Sequence, residues 1–160
     1  MTSGTARLEG GLASRDRWSA RDRCSIGKAF DVIGTRSALL ILREAYYGTR
    51  RFDDFAERVG INPSVAARRL KDLVAAGLLV LVPYRELGSR TRSEYELTEM
   101  GRDLVPAVFA LMLWGDRHLQ FVEGPPLALE HSECRRPVTV RLVCSDGHDV
   151  PLEEISVLPA

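Results

Sequence analysis

Gly60-Ile-Asn-Pro-Ser-Val-Ala-Ala-Arg-Arg-Leu-Lys-Asp-Leu-Val-Ala-Ala-Gly77 decides the fold of this chain. Asn62 is a strong helix N-cap, and Pro63 is preferred at the first helical position because its missing N–H would have no partner there anyway. The helix they open runs from Ser64 to Ala76 and stops at Gly77. Ala66, Leu70, Leu73 and Val74 fall at helical spacing and form an apolar stripe, while Ser64, Ala67, Arg68 and Lys71 occupy the opposite face. The segment upstream, with Phe52, Phe55, Ala56 and Val59 at helical spacing, ends at Gly60. Two helices therefore meet at a very short corner. Directly downstream lie two β-type runs, Leu78 to Leu87 and Thr91 to Leu97, with a turn at Gly88-Ser89.

Working outward, Thr35 to Gly48 is too apolar for a surface helix and is expected to be the central buried one, capped by Thr35. Ser25 starts a shorter helix closed by Gly34. Thr98 caps a long helix expected to reach about Phe121, with Pro106 as a kink. Gly124-Pro125-Pro126 reads as a linker, and the tail beyond it holds short β-like runs such as Val138 to Val143. Residues 1–22, rich in Gly, Ser, Thr and Arg, read as a flexible arm. The expected organisation is an arm (1–22), a core (23–122) and a linker with a small tail (123–160). The fold class is mainly α with a β-hairpin wing: a winged helix-turn-helix.

The chain has 160 residues and a formal net charge of zero, so bulk charge does not announce a nucleic acid. The distribution of charge does. Between Gly60 and Arg92 there are six basic residues against two acidic ones, an excess of +4. A helix-turn-helix places its second helix in the major groove. Ser64 and Ala67 are small enough for close approach, and Arg68 reaches a guanine edge or a phosphate. Asn62 and Pro63 lie at the positive end of that helix, where free N–H groups suit a phosphate. Arg50, Arg51, Arg69 and Lys71 suit backbone contacts, as do the wing arginines Arg85, Arg90 and Arg92. Double-stranded DNA is the expected partner. A winged helix that binds protein instead of DNA is the alternative, and steep salt dependence separates the two.

There is no apolar run of about 18 residues to span a membrane and no apolar segment near the N-terminus to act as a secretory signal. Three cysteines do not make a disulfide framework, and a reducing cytoplasm is the expected compartment. No phosphate loop, nucleophile elbow or paired-carboxylate motif suggests an enzyme.

Several stretches together resemble the HxlR family of winged-helix regulators, relatives of the MarR group. They are Cys24-Ser-Ile, Asp31-Val-Ile-Gly-Thr-Arg, Leu39-Leu-Ile-Leu-Arg-Glu, Arg50-Arg-Phe-Asp-Asp-Phe, Gly60-Ile-Asn, Arg69-Leu-Lys-Asp-Leu, Ala76-Gly-Leu-Leu, Pro83-Tyr84 and Glu94-Tyr-Glu-Leu-Thr-Glu-Met-Gly-Arg. The resemblance covers about Cys24 to Phe121. It implies a homodimer paired through terminal helices, with two recognition helices on adjacent half-sites. Ser37 stands where many members carry Trp, Ala66 where Leu is usual and Arg90 where Pro is common; the two smaller residues leave room for a cavity. The dimer has support in the residues themselves, since Ala107, Leu111, Trp114 and His118 share one face of the long helix.

Two further features carry chemistry. Cys24 precedes the first core helix, where the helix N-terminus and Arg23 favour a thiolate, and some relatives sense oxidants with a cysteine there. A buried structural cysteine is the competing reading. In the tail, His131-x2-Cys134 and Cys144-x3-His148 resemble a shortened zinc ribbon, so a structural Zn is one expectation and a plain β-hairpin the other. A small-molecule effector bound at the dimer interface is a further expected partner.

Overall fold

The computed structural model describes residues 5–14, 16, 23–85, 91–119 and 122–159. In chain order the elements are β1 (Arg7–Leu8), α1 (Ser25–Ile33), α2 (Arg36–Tyr46), α3 (Phe52–Val59), α4 (Pro63–Ala75), β2 (Leu79–Tyr84), β3 (Arg92–Leu97), α5 (Glu99–Asp103), α6 (Val105–His118) and β4 (Ser156–Val157). They fall into two compact units, Ser25–Gly124 and the described residues of Met1–Cys24 with Pro125–Ala160.

In the first unit the caps sit where the side-chain chemistry demands. Thr35 Oγ1 accepts from Ala38 N at 3.2 Å, Asn62 Oδ1 from Ser64 N at 2.9 Å, and Thr98 Oγ1 from Gly101 N at 3.0 Å. Each satisfies an N–H that the first helical turn leaves without an intrahelical partner. Gly60 closes α3 and Gly77 follows α4, at φ of 66° and 77°, a left-handed conformation that any side chain would strain. Helix α2 packs against α3, α4, α6 and β3. The residues sealed at the centre are Ile41, Leu42, Phe55, Leu70, Leu73 and Leu79. Phe55 meets the edge of the Tyr95 ring at 5.9 Å, which ties α3 to the hairpin. β2 and β3 pair antiparallel from Leu79↔Leu97 to Tyr84↔Arg92. Strand β2 ends at Tyr84, while Glu86 and Leu87 of the expected run and the Gly88-Ser89 turn lie outside the described residues.

The long helix expected from Thr98 to Phe121 is two helices. α5 ends at Asp103, Leu104 intervenes, and α6 restarts at Val105 with Pro106 in its first turn. Proline has no N–H to donate, so a chain that must carry one inside a helical stretch does so most cheaply by starting a new helix there. α6 stops at His118, where Leu119 is already extended; Phe121 lies outside the described residues.

In the second unit, part of the expected arm is paired: among the described residues β1 pairs in parallel with β4, Arg7↔Ser156 and Leu8↔Val157, and Ser156 Oγ donates to Glu9 Oε1 at 2.9 Å. Leu12, in a short 3-10 turn over Gly10–Ala13, is buried. The run from Val138 to Val143 forms no regular strand. Isolated bridges, Glu130↔Pro137 and Val143↔Asp149, close two separate turns instead, and Val138, Val140, Leu142 and Val143 remain exposed. Without a second layer to cover an apolar face, period-2 patterning alone does not make a sheet.

Candidate nucleic-acid interface

Helix α4 has one side in the core and one in solvent. Ala66, Leu70 and Leu73 are at most 1 % exposed, whereas Ser64, Ala67, Arg68 and Lys71 all face solvent. At its N-terminus the Asn62 side chain accepts from both the backbone N–H and the hydroxyl of Ser64, each at 2.9 Å. That fixes the start of the helix and leaves Pro63 and Asn62 exposed at its positive end. Arg69 is turned aside: it is half-buried, its Nη1 pairs with Asp72 at 3.2 Å, and its Nε is buried without a hydrogen-bond partner. It is therefore poorly placed for the phosphate contact expected of it.

The loop before α3 and the hairpin supply the rest. The Arg51 guanidinium lies 5.3 Å from the centre of the Tyr84 ring, an arrangement that holds the cation beside the wing. Tyr84 is a contributor that sequence reasoning missed, since only the fold brings it to Arg51. Arg92 sits opposite Tyr84 in the ladder and is exposed, as is Arg85. Arg90 lies outside the described residues.

Arg50 is engaged within the chain itself. Its Nη1 donates to Glu94 at 2.9 Å and also to Glu96, and its carbonyl accepts from Tyr95 N at 2.9 Å. The hydrogen bond to Glu94 and the charge of Glu96 hold its guanidinium still more firmly protonated than usual. With two carboxylates on it, Arg50 braces the base of the wing. The signal was in the sequence: Glu94 and Glu96 alternate along β3, so they share one face of the strand.

Elsewhere, Ala107, Leu111, Trp114 and His118 are all exposed on α6, with Leu111 and Trp114 at 56 % and 57 %. Val105 and Val108 turn inward. α1 buries no residue at all, and Ile26 and Phe30 are 66 % and 56 % exposed. Two helices of one unit thus carry large apolar side chains that are exposed among the described residues. Cys24, immediately before α1, is partly exposed. In the tail, His131 Nδ1 lies 3.2 Å from Cys134 Sγ in one turn, and Cys144 N donates to His148 O at 3.0 Å in the other. Each turn thus holds one His/Cys pair, and among the described residues no three His, Cys, Asp or Glu side chains converge as metal ligands. The four candidates are not assembled into a tetrahedral set. Among the described residues no helix is long and apolar enough to cross a membrane.

A short-cornered pair of helices, the second exposing small and basic side chains, followed at once by an antiparallel hairpin, defines the winged helix-turn-helix class of DNA-binding proteins. Residues 32–123 match the family model described as HxlR-like helix-turn-helix, and the chain belongs to that family of DNA-binding transcriptional regulators. It is 42 % identical over 136 residues to the uncharacterized HTH-type transcriptional regulator Rv3095 of Mycobacterium tuberculosis, a match covering 84 % of this chain and 85 % of the relative. The crystal structure of PA1607, described as a candidate transcription factor, superimposes with a TM-score of 0.74 at 31 % identity, covering 86 % of this chain and 96 % of that one. The redox regulator HypR in its oxidized form gives a TM-score of 0.55 at 27 % identity, covering 61 % of this chain and 100 % of that one.

Proposed function

We propose that the chain is a homodimeric, sequence-specific repressor that binds a pseudo-palindromic operator. The observation that carries this reading is the division of α4: a sealed apolar stripe on one side, and Ser64, Ala67, Arg68 and Lys71 in solvent on the other. Ser64, Ala67 and Arg68 read bases; Lys71, Arg51, Arg85, Arg90 and Arg92 hold phosphates. Two copies join through the open apolar faces of α6 and α1, because exposed Leu111, Trp114, Ile26 and Phe30 cost free energy in water that a second copy removes. A closed dimer presents two recognition helices to half-sites about one helical turn apart. Release comes from a bound small molecule or from modification of Cys24, which sits at the entry to α1, a helix of the proposed dimer. The likeness to a redox regulator supports the second route.

The test is fluorescence anisotropy with the DNA upstream of the protein's own gene and with scrambled DNA, across a salt series. Tight binding that prefers the native sequence and weakens log-linearly with salt is the expected result. Equal, weak binding to both DNAs would move the reading to a winged helix that recognises protein.

A further inference from the structure

The second unit has almost no core. None of residues 125–159 is buried, and Leu12 is the one buried apolar side chain of the unit among its described residues. A piece of chain this small that hides so little apolar surface is not held by burial alone; such pieces are stapled by a disulfide, a metal ion or a partner. Cys134 and Cys144 are free thiols. The tail is nevertheless organised, around two turns of the same design. In the first, His131 N donates to Arg136 O at 2.9 Å and Val138 N to Leu129 O at 2.8 Å, closing a loop on His131-Ser-Glu-Cys134. In the second, Cys144 N donates to His148 O at 3.0 Å and Val150 N to Leu142 O at 2.8 Å, closing a loop on Cys144-Ser-Asp-Gly-His148.

Each turn holds one left-handed residue next to a histidine or cysteine, Arg135 at φ 56° and Gly147 at φ 82°. Glycine adopts that conformation freely. Arg135 does not, and it is the one non-glycine residue with a positive φ among the described residues. The turn that carries this strain is the one that brings His131 Nδ1 to 3.2 Å from Cys134 Sγ. That distance selects a coordination geometry. With bonds of about 2.0–2.1 Å to nitrogen and 2.3 Å to sulfur, the two atoms lie roughly 3.5 Å apart on a tetrahedral zinc and about 4.3 Å apart in a linear site. The observed separation is close to the tetrahedral edge. Flanking carboxylates are engaged with arginines, Glu130 with Arg135 at 2.9 Å and Asp149 with Arg141 at 2.8 Å. The pairs themselves offer imidazole and thiol, donors that favour Zn(II) over Mg(II) or Ca(II).

One pair is half of a tetrahedral set, and the two pairs are separate in the structure. The connection between them can close the gap. It is nine residues long, from Arg135 to Val143, it forms no regular strand, and Val138, Val140, Leu142 and Val143 within it are exposed. Bending it therefore sacrifices little packing. We infer that one Zn(II) ion draws the two turns together and staples the tail, with His131, Cys134, Cys144 and His148 as its four ligands. Binding releases two protons, one from each thiol, and the two thiolates neutralise the ion. Four protein ligands leave no open position for a substrate, so the role is structural. It does not depend on the proposed DNA-binding role.

The experiment strips the full-length chain with EDTA under a non-thiol reductant and titrates it with Co(II), then Zn(II). Saturation at one Co(II) per chain is expected, with the strong visible absorption of a tetrahedral ion and the near-ultraviolet charge-transfer band of thiolate ligands. One equivalent of Zn(II) should abolish both signals. Cys134→Ser, Cys144→Ser, His131→Asn and His148→Asn should each weaken Zn(II) binding, read against a chromogenic chelator, by at least about a hundredfold, the upper end of what losing even an outer-shell partner costs. Glu133→Gln and Asp146→Asn should leave it unchanged. Trypsin should cut after Arg135 and Arg141 more slowly with Zn(II) than after EDTA in the parent, and equally fast in the four ligand variants. Circular dichroism of the winged-helix unit's helices should be the same in all of them, which shows that the variants are folded. A weak octahedral Co(II) spectrum, one ion per two chains, or loss of binding in the variants of one turn only overturns the assignment. So does binding that follows Glu133 or Asp146, or proteolysis of the parent tail that Zn(II) leaves unmoved.

Discussion

Arg50 and Lys71 are both exposed cations near the helix-turn-helix, yet their neighbours assign them different work. Arg50 spends its charge on Glu94 and Glu96, while Lys71 faces solvent on the outer side of α4. Arg50→Ala should lower the thermal midpoint, because two carboxylates on one strand face lose their counter-ion, while the slope of log affinity against log salt stays as in the parent protein. Lys71→Ala should keep the midpoint and flatten that slope by about one. Thermal melts and a salt series on both variants check the pair; a flattened slope for Arg50→Ala would return it to the phosphate-contacting set. Cysteine reactivity also belongs to this scale. Cys144 is exposed, and the backbone N–H groups of its turn, His148 first and then Asp146, hold its thiol below the ordinary range. A lowered value means more thiolate near neutrality, so alkylation of Cys144 should reach half its maximal rate at a lower pH than a free cysteine does. Peptide mapping after timed iodoacetamide exposure reads this directly, and an ordinary thiol profile would contradict it.

At the scale of elements, the helix starts were legible because capping is local. Thr35, Asn62 and Thr98 each act within three residues of themselves, so a linear reading finds them. The apolar and polar sides of α4 were legible for the same reason, since 3.6-residue periodicity needs no partner to be seen. Non-local features were not. The Arg50 clamp spans 44 residues to Glu94, and the β1–β4 pair joins Arg7 to Ser156. The break at Leu104 was missed because Pro106 permits either a kink or a new start, and packing decides between them. The junction of α5 with the wing makes two predictions. Thr98→Ala removes both the cap on Gly101 and the bond to Gly77 O and should cost about 1 kcal/mol. Gly101→Ala drives a methyl group into Leu78 O, a backbone atom that cannot step aside, and should cost more, roughly 1–3 kcal/mol of overpacking. Urea unfolding of the two variants checks the order; equal stabilities would mean that α5 shifts freely off Leu78.

For the whole molecule, the account rests on two copies presenting two α4 helices to one operator. Leu111→Glu with Trp114→Glu puts charge on the open face of α6 while Val105 and Val108 keep their place inside. Light scattering should show the parent as a dimer and the double variant as a folded monomer with much weaker operator binding. The most direct test of the central claim is a comparison of Arg68→Ala with the parent protein on a panel of operators, each carrying one altered base pair. If α4 reads the major groove, the parent should lose about 1–3 kcal/mol of binding at the base pair that Arg68 contacts, and the variant should bind the altered and native operators alike at that position and only there. A variant that keeps the parent's full preference at every position would contradict the account, because the exposed face of α4 would then not be the surface that reads the sequence.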